Sequence, residues 1–288
     1  MSSVLLLNNT PDFLGWRNSV QEQNMGLVPT MGNLHQGHLF LLQEALKNHS
    51  QVILSIFVNP KQFGPGEDFH CYPRTLENDQ ILVEQLVNKM KDQQKKVVIF
   101  APKKVEDIFP SDYSTQISLG PLTQILCGKS RPGHFDGVTT VVYRLFALTK
   151  PKKSYFGQKD LQQLFLIKKM VQDLMLPIEI QGLPIIRDQN DLALSSRNQY
   201  LSKEQRQEAL ILIKSLNHLK KLLLSQKIHK VYEVRNQYLQ DTRFEYLEVV
   251  STQTLLSPKE DEKELAILGA LRLGQTRLID NILVSLVK

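Results

Sequence analysis

Through the first two-thirds of the chain, short apolar runs alternate with stretches whose apolar residues recur every three or four positions. Residues 25–29 read as a short strand. Residues 37–48 read as a helix with Leu39, Leu42, Ala45 and Leu46 on one face. Residues 52–58 are apolar except for Ser55 and read as a buried strand. Thr75 stands where it can cap a helix whose stripe is Leu82, Val83, Leu86 and Val87. Strand 97–100, a buried helix over 138–148, strand 154–156, a helix from Asp160 to Leu174 and strand 178–186 complete the series. Strands alternating with helices predict βαβ units on a parallel sheet.

The pattern changes near residue 182. Ser202 with Gln205 forms the signature of a capping box ahead of a helix running to about residue 224. A second helix is expected over 230–240, followed by strands at 244–250, 265–271 and 279–287. The expected fold class is therefore α/β, a parallel-sheet domain over 1–182 and a smaller α+β domain over 183–288.

Composition narrows this little. The chain has 288 residues, 42% of them hydrophobic and 22% charged, which is ordinary for a globular protein and unlike a disordered one. The net charge of +6 suits polyphosphate or carboxylate substrates as well as nucleic acid. Its lysines and arginines are spread rather than clustered, and the single Trp stands in no aromatic-basic cluster, which argues against RNA. Cys71 and Cys127 show no metal-knuckle or disulfide spacing. The start lacks a basic signal-peptide region and no apolar run reaches the ~18 residues of a membrane span, so a cytoplasmic enzyme is expected.

Four segments carry candidate chemistry. In Pro29-Thr30-Met31-Gly32-Asn33-Leu34-His35-Gln36-Gly37-His38 a strand ends, glycines turn the chain and a helix begins at the second histidine. His35 and His38 lie three apart beside unpaired helix-start N–H groups, an arrangement that suits an anion such as a reacting α-phosphate. A zinc pair lacking further ligands, or two structural histidines, are the competing readings. Asn59 and Gln62 follow the apolar strand 52–58 and can hydrogen-bond hydroxyls or a carboxylate, unless Asn59-Pro60 is only a turn. In Gly157-Gln158-Lys159-Asp160, Lys159 can reach phosphate, and Asp160 can cap the next helix or accept from ribose; Gln163 lies one turn on. Ser195-Ser196-Arg197 suits a triphosphate tail, although taken alone it reads better as a surface turn leading to the helix capped by Ser202. Gly128-Lys129-Ser130 lacks the upstream glycine of a phosphate loop, since residue 123 is Thr.

Together and in this order, with Tyr72-Pro73-Arg74-Thr75, Arg131-Pro132-Gly133-His134-Phe135-Asp136-Gly137 and Gly274 to Asn281, these segments resemble the pantothenate synthetase family. The resemblance spans residue 25 to about 284. It implies a Rossmann-like nucleotidyltransferase domain, with His35-Gln36-Gly37-His38 where that superfamily carries its HIGH signature. It implies ATP with Mg²⁺, pantoate and β-alanine as ligands, and a homodimer. By the family pattern His35, His38, Lys159, Ser195, Ser196 and Arg197 contact ATP phosphates, and Gly157 and Asp160 hold its ribose. Gln62 and Gln163, with Asn59 beside them, would hold pantoate. Met31 would meet the pantoate carboxyl group at the edge of the ATP site. Asp79 is the candidate for Mg²⁺, with Asn78 where a second acid is usual, and Asp191 stands where glycine is frequent.

The implied reaction activates pantoate as an acyl-adenylate and joins it to β-alanine, making the coenzyme A precursor pantothenate. His38, His35 and Lys159 are its candidate catalytic groups. A related nucleotidylyltransferase acting on another small substrate is the alternative, and the Gln62–Gln163 pair argues instead for a small carboxylate.

Overall fold

The computed structural model describes residues 3–225 and 228–286. The chain divides into two compact units, Met1–Gln158 with Gln163–Pro184, and Lys159–Gln162 with Ile185–Lys288. The main break thus falls after residue 184, and the short segment 159–162 groups with the second unit, where the Asn281 side-chain amide donates to the Lys159 carbonyl at 3.0 Å.

The first unit is built on six strands: β1 (Val4–Leu7), β2 (Gly26–Thr30), β3 (Gln51–Ile56), β4 (Lys96–Phe100), β5 (Lys153–Gly157) and β6 (Glu179–Leu183). They form one parallel sheet in the order β1-β4-β3-β2-β5-β6. Helices α1 (Thr10–Ser19), α2 (Gln36–Asn48), α3 (Leu76–Met90), the short α4 (Cys127–Ser130), α5 (His134–Thr149) and α6 (Leu161–Asp173) connect them. On one core face α2 buries Leu41, Leu42, Ala45 and Leu46, and α3 buries Val83 and Val87, against Val28, Val52, Leu54, Val97 and Ile99 of the sheet. Burying side chains of this kind supplies about 1.5–3 kcal/mol each. From β2 the chain steps outward to β3 and β4 on one side, while β5 and β6 lie on the other. That reversal falls between β2 and β5, and open parallel sheets bind ligands at the carboxyl ends of strands at such a switch point.

Several elements differ from the sequence expectation. β1 and α1 were absent from it. α1 is set by Asn9, whose side-chain oxygen accepts from the Asp12 N–H at 2.8 Å, with Pro11 in the first turn. α2 starts at Gln36, with His35 rather than the second histidine at its boundary. Thr75 does precede α3, but its hydroxyl donates to Asp79 at 3.2 Å and does not cap the backbone.

At the amino ends of the strands His49 closes α2. Its Nδ1 lies 2.9 Å from the Asn24 carbonyl and its Nε2 2.9 Å from the Tyr155 hydroxyl. The Asn24 carbonyl needs a donor, so the ring proton sits on Nδ1 and Nε2 accepts from Tyr155. Burial pushes the Tyr155 hydroxyl up to about 12, so it keeps that proton at neutral pH.

The second unit packs α7 (Lys203–Leu224) and α8 (Ile228–Tyr238) on an antiparallel sheet of β7 (Phe244–Ser251), β8 (Glu264–Leu273) and β9 (Thr276–Ser285). The capping box is present: the Gln205 N–H donates to Ser202 Oγ at 3.1 Å and the Ser202 N–H to Gln205 Oε1 at 3.0 Å. Leu212, Leu216 and Leu219 of α7 bury against Leu247, Ile267 and Leu271. Gly269 permits this close approach, because a Cβ there would lie 2.7 Å from Leu212 Cδ1. The β8–β9 hairpin turns at Gly274, whose φ of +56° favours glycine. β9 begins at Thr276, earlier than expected, and Val287 at the expected end lies outside the described residues.

Candidate active site

The loop joining β2 to α2 leaves the carboxyl edge of the sheet beside the strand reversal. His35 is the N-cap of α2: its Nδ1 accepts the Gly37 N–H at 3.1 Å. His38 answers it, its Nδ1 accepting the His35 N–H at 3.3 Å. This is a capping box made of two imidazoles. A ring whose Nδ1 accepts a backbone N–H carries its proton on Nε2 when neutral. Both rings are therefore set as Nε2–H donors, and they lie 4.1 Å apart between centroids. Two such donors beside a helix start can stabilise charge developing on a phosphate oxygen.

Asp79 lies under this loop, fully buried in the first turn of α3. Its Oδ2 accepts the Asn33 N–H at 2.9 Å, and its Oδ1 accepts the Leu34 N–H at 2.8 Å. Burial pushes the carboxyl above its ordinary range, against the pull of those N–H groups and of Thr75. A divalent ion needs carboxylate oxygens open to it, and N–H donors already hold these two. Asp79 therefore does not fit the metal role that the resemblance offers. Among the described residues no group of three or more His, Cys, Asp or Glu could hold a metal ion.

Gln62 stands in the short turn after β3. Its Nε2 lies 3.1 Å from the Met31 sulfur, and its Oε1 accepts from Asn59 Nδ2 at 3.0 Å. Asn59 itself is buried, with Nδ2 also donating to the Gly137 carbonyl at 3.1 Å and Oδ1 accepting the Lys61 N–H at 3.2 Å. The Asn59 amide is thus committed within the protein, and it fixes Gln62 with its oxygen toward Asn59 and its NH₂ group toward Met31.

A second clamp, for which sequence reasoning had assigned no role, holds the Gln62 backbone. His134 Nδ1 lies 2.8 Å from the Gln62 carbonyl, and its Nε2 lies 2.9 Å from Arg131 Nη1, which fixes Nδ1 as the donor. Arg131 forms a two-pronged pair with Glu67 at 2.7 and 2.6 Å. Burial raises the Glu67 pKa, but the Arg131 bonds outweigh it and hold the carboxyl below its ordinary range. The Arg131 to Gly137 stretch was visible in the sequence only as part of the family pattern.

Gly157 ends β5, and among the described residues other than its own chain neighbours nothing lies within 4 Å of where its Cβ would be. Gln163 is half-buried in the first turn of α6. The remaining candidates belong to the second unit. Lys159 Nζ lies 3.6 Å from Asp160 Oδ2. Ser195 caps the short turn Ser196–Tyr200, its Oγ accepting the Arg197 N–H at 3.3 Å. Asn198 Nδ2 ties this loop to the Ala193 carbonyl at 3.0 Å, and in the turn before it Arg187 grips Asp280 through both oxygens, at 2.6 and 2.8 Å, and donates to the Asp191 carbonyl at 3.0 Å. Asp191 has a φ of +72°, a conformation glycine adopts without strain.

The parallel sheet, its strand reversal and the paired donors at a helix start define an α/β group-transfer enzyme of the nucleotidyltransferase type. The family model described as "Pantoate-beta-alanine ligase" matches residues 7–283. The pantothenate synthetase of Acetivibrio thermocellus is 46% identical over 266 residues, covering 91% of this chain and 92% of that protein. The crystal structure of the Thermus thermophilus pantothenate synthetase superposes with a TM-score of 0.87 at 39% identity, covering 96% of this chain and 98% of that one. The Francisella tularensis pantoate-beta-alanine ligase, complexed with beta-gamma ATP and beta-alanine, superposes with a TM-score of 0.72 at 33% identity, covering 97% of each chain. The chain belongs to the pantoate-beta-alanine ligase family, whose enzymes form the amide bond between pantoate and β-alanine.

Proposed function

We propose that the chain forms this amide through a pantoyl-adenylate. A pantoate carboxylate oxygen attacks the α-phosphorus of ATP, the bond to the β-phosphate bridging oxygen breaks, and pyrophosphate leaves. The β-alanine amine then attacks the acyl carbon, loses a proton, and AMP departs. The observation that carries this reading is the double imidazole cap, which sets two Nε2–H donors side by side at a helix start, a pairing that suits an α-phosphate gaining charge. A ligase working through an acyl phosphate would release ADP.

In this reading His38, His35 and Lys159 serve the reacting phosphate, and Ser195, Ser196 and Arg197 serve the departing pyrophosphate. Gly157, Asp160 and Met31 complete the ATP contacts. Gln62 donates to pantoate beside the Met31 backbone, Gln163 binds the same substrate, and Asn59 acts through Gln62. Mg²⁺ enters bound to the triphosphate. Residues 1–182 form the ATP- and pantoate-binding domain and 183–288 a smaller lid domain, in a cytoplasmic homodimer.

The test is isotope exchange. Given pantoate and Mg²⁺ without β-alanine, the enzyme should exchange labelled pyrophosphate into ATP, and omitting pantoate should abolish the exchange. His38→Ala should lower the rate by roughly 10²–10³. Exchange without pantoate, or a wild-type rate in His38→Ala, would show the reading to be wrong.

A further inference from the structure

We propose that Asp79 is a positioning residue for the adenylation step, an internal anion that holds the histidine-bearing loop in shape; this rests on the adenylate reading. Gly32 and Asn33 both have positive φ, +84° and +50°. Residues in such a turn aim successive N–H groups to one side, making a concavity that captures an anion. In this loop the N–H groups of Asn33 and Leu34 are the captors. The anion they capture is the protein's own carboxylate, so neither N–H is left for a phosphate.

The fit around the carboxylate is close. A Cβ on Gly32 would stand 3.1 Å from Asp79 Oδ2 and 3.0 Å from Ile56 Cγ2. Thr75, one turn earlier, donates to Oδ1 at 3.2 Å, and the Asp79 N–H donates to the Thr75 carbonyl at 2.8 Å. The start of α3 therefore grips the loop that delivers His35 to the N-cap of α2. Asn33 carries backbone strain at its positive φ, which the two carboxylate bonds offset. Asparagine cannot replace aspartate here, because its NH₂ would face one of the two N–H donors. The loop would have to move, carrying both imidazoles with it.

The experiment is pantoate-dependent pyrophosphate exchange in the full chain, wild type against Asp79→Asn, at varied Mg²⁺ and with melting temperature measured in parallel. A misplacement of about 1 Å costs on the order of 10²-fold, so kcat for exchange should fall by that factor. The Mg²⁺ concentration at half-maximal rate should stay unchanged. Recovery of the rate at high Mg²⁺ would make Asp79 a metal ligand and overturn the proposal. A lowered melting temperature with wild-type kcat measured well below it would reduce Asp79 to a structural role and also overturn it. If Asp79→Asn does not fold, Thr75→Val decides: loss of one hydrogen bond should lower kcat about 2–10-fold at unchanged Mg²⁺ requirement. Wild-type kcat in Thr75→Val would then refute positioning. Absence of exchange in the wild-type enzyme would instead refute the adenylate reading.

Discussion

Replacing Gly137 with alanine adds one methyl group at the place where α5 meets the Gln62 turn. That Cβ would lie 2.1 Å from the Lys61 carbonyl oxygen, 2.4 Å from its carbon and 2.8 Å from the Gln62 nitrogen. Non-bonded heavy atoms sit comfortably at about 3.5 Å, so the turn must move by more than about 1 Å. The atoms in the way are backbone, so no side-chain rotation relieves the clash. Overpacking of this kind costs about 1–3 kcal/mol, and alanine for glycine inside a helix returns about 1 kcal/mol, so the protein should stay folded. If Gln62 binds pantoate as proposed, its displacement would carry the amide away from that substrate. A shift of about 1 Å at a reacting substrate costs on the order of 10²-fold. In pyrophosphate exchange at varied pantoate, kcat/KM for pantoate should fall by about that factor while KM for ATP changes little. A folded Gly137→Ala enzyme with wild-type kcat/KM for pantoate would refute the reasoning.

Gln62→Ala and Gln163→Ala should each raise KM for pantoate far more than KM for ATP, by the equivalent of about 1–3 kcal/mol for a lost hydrogen bond in a buried site. Steady-state kinetics check this, and equal effects on both substrates would contradict the placement. Burial holds the His49 pKa below the ordinary 6.5, so the unfolded chain binds a proton there more readily than the folded one. Its contribution to stability is full above pH 6.5 and is lost as pH falls below that value. Urea midpoints at pH 7.5 and pH 5.5 should therefore differ more in wild type than in His49→Gln, and equal differences would count against a neutral, buried His49.

Much of the fold was legible where periodicity and caps agree. The stripe of α2 and the Ser202–Gln205 box of α7 are local features, and both helices are present. β1 and α1 were missed because Val4–Leu7 is a four-residue run and 10–19 shows no clear apolar stripe. Instead α1 is fastened by tertiary contacts, with Arg17 Nε donating to the Thr149 carbonyl at 2.9 Å. The candidate site divides in the same way. His35, Gln62 and Lys159 stand in motifs that follow strands. The partners that orient the site lie far along the chain: Asp79 is 46 residues from Asn33, His134 is 72 from Gln62, and Gly137 is 78 from Asn59. No pattern within a window of ten or fifteen residues carries such pairings, so Asp79 looked like a metal ligand and Asn59 like a substrate contact.

The mutual cap of His35 and His38 narrows what evolution can place at these positions. A replacement must accept a backbone N–H at one end of the side chain and present a donor at the other. Serine, threonine and aspartate can cap a helix, but they are too short to offer a donor beyond it. Lysine and arginine can donate outward, yet they have no acceptor to give the helix. The imidazole ring does both, with its two nitrogens on separate sides of a rigid plane. If the pair serves the reacting phosphate as proposed, drift at either position meets two penalties at once, one in the folding of α2 and one in turnover.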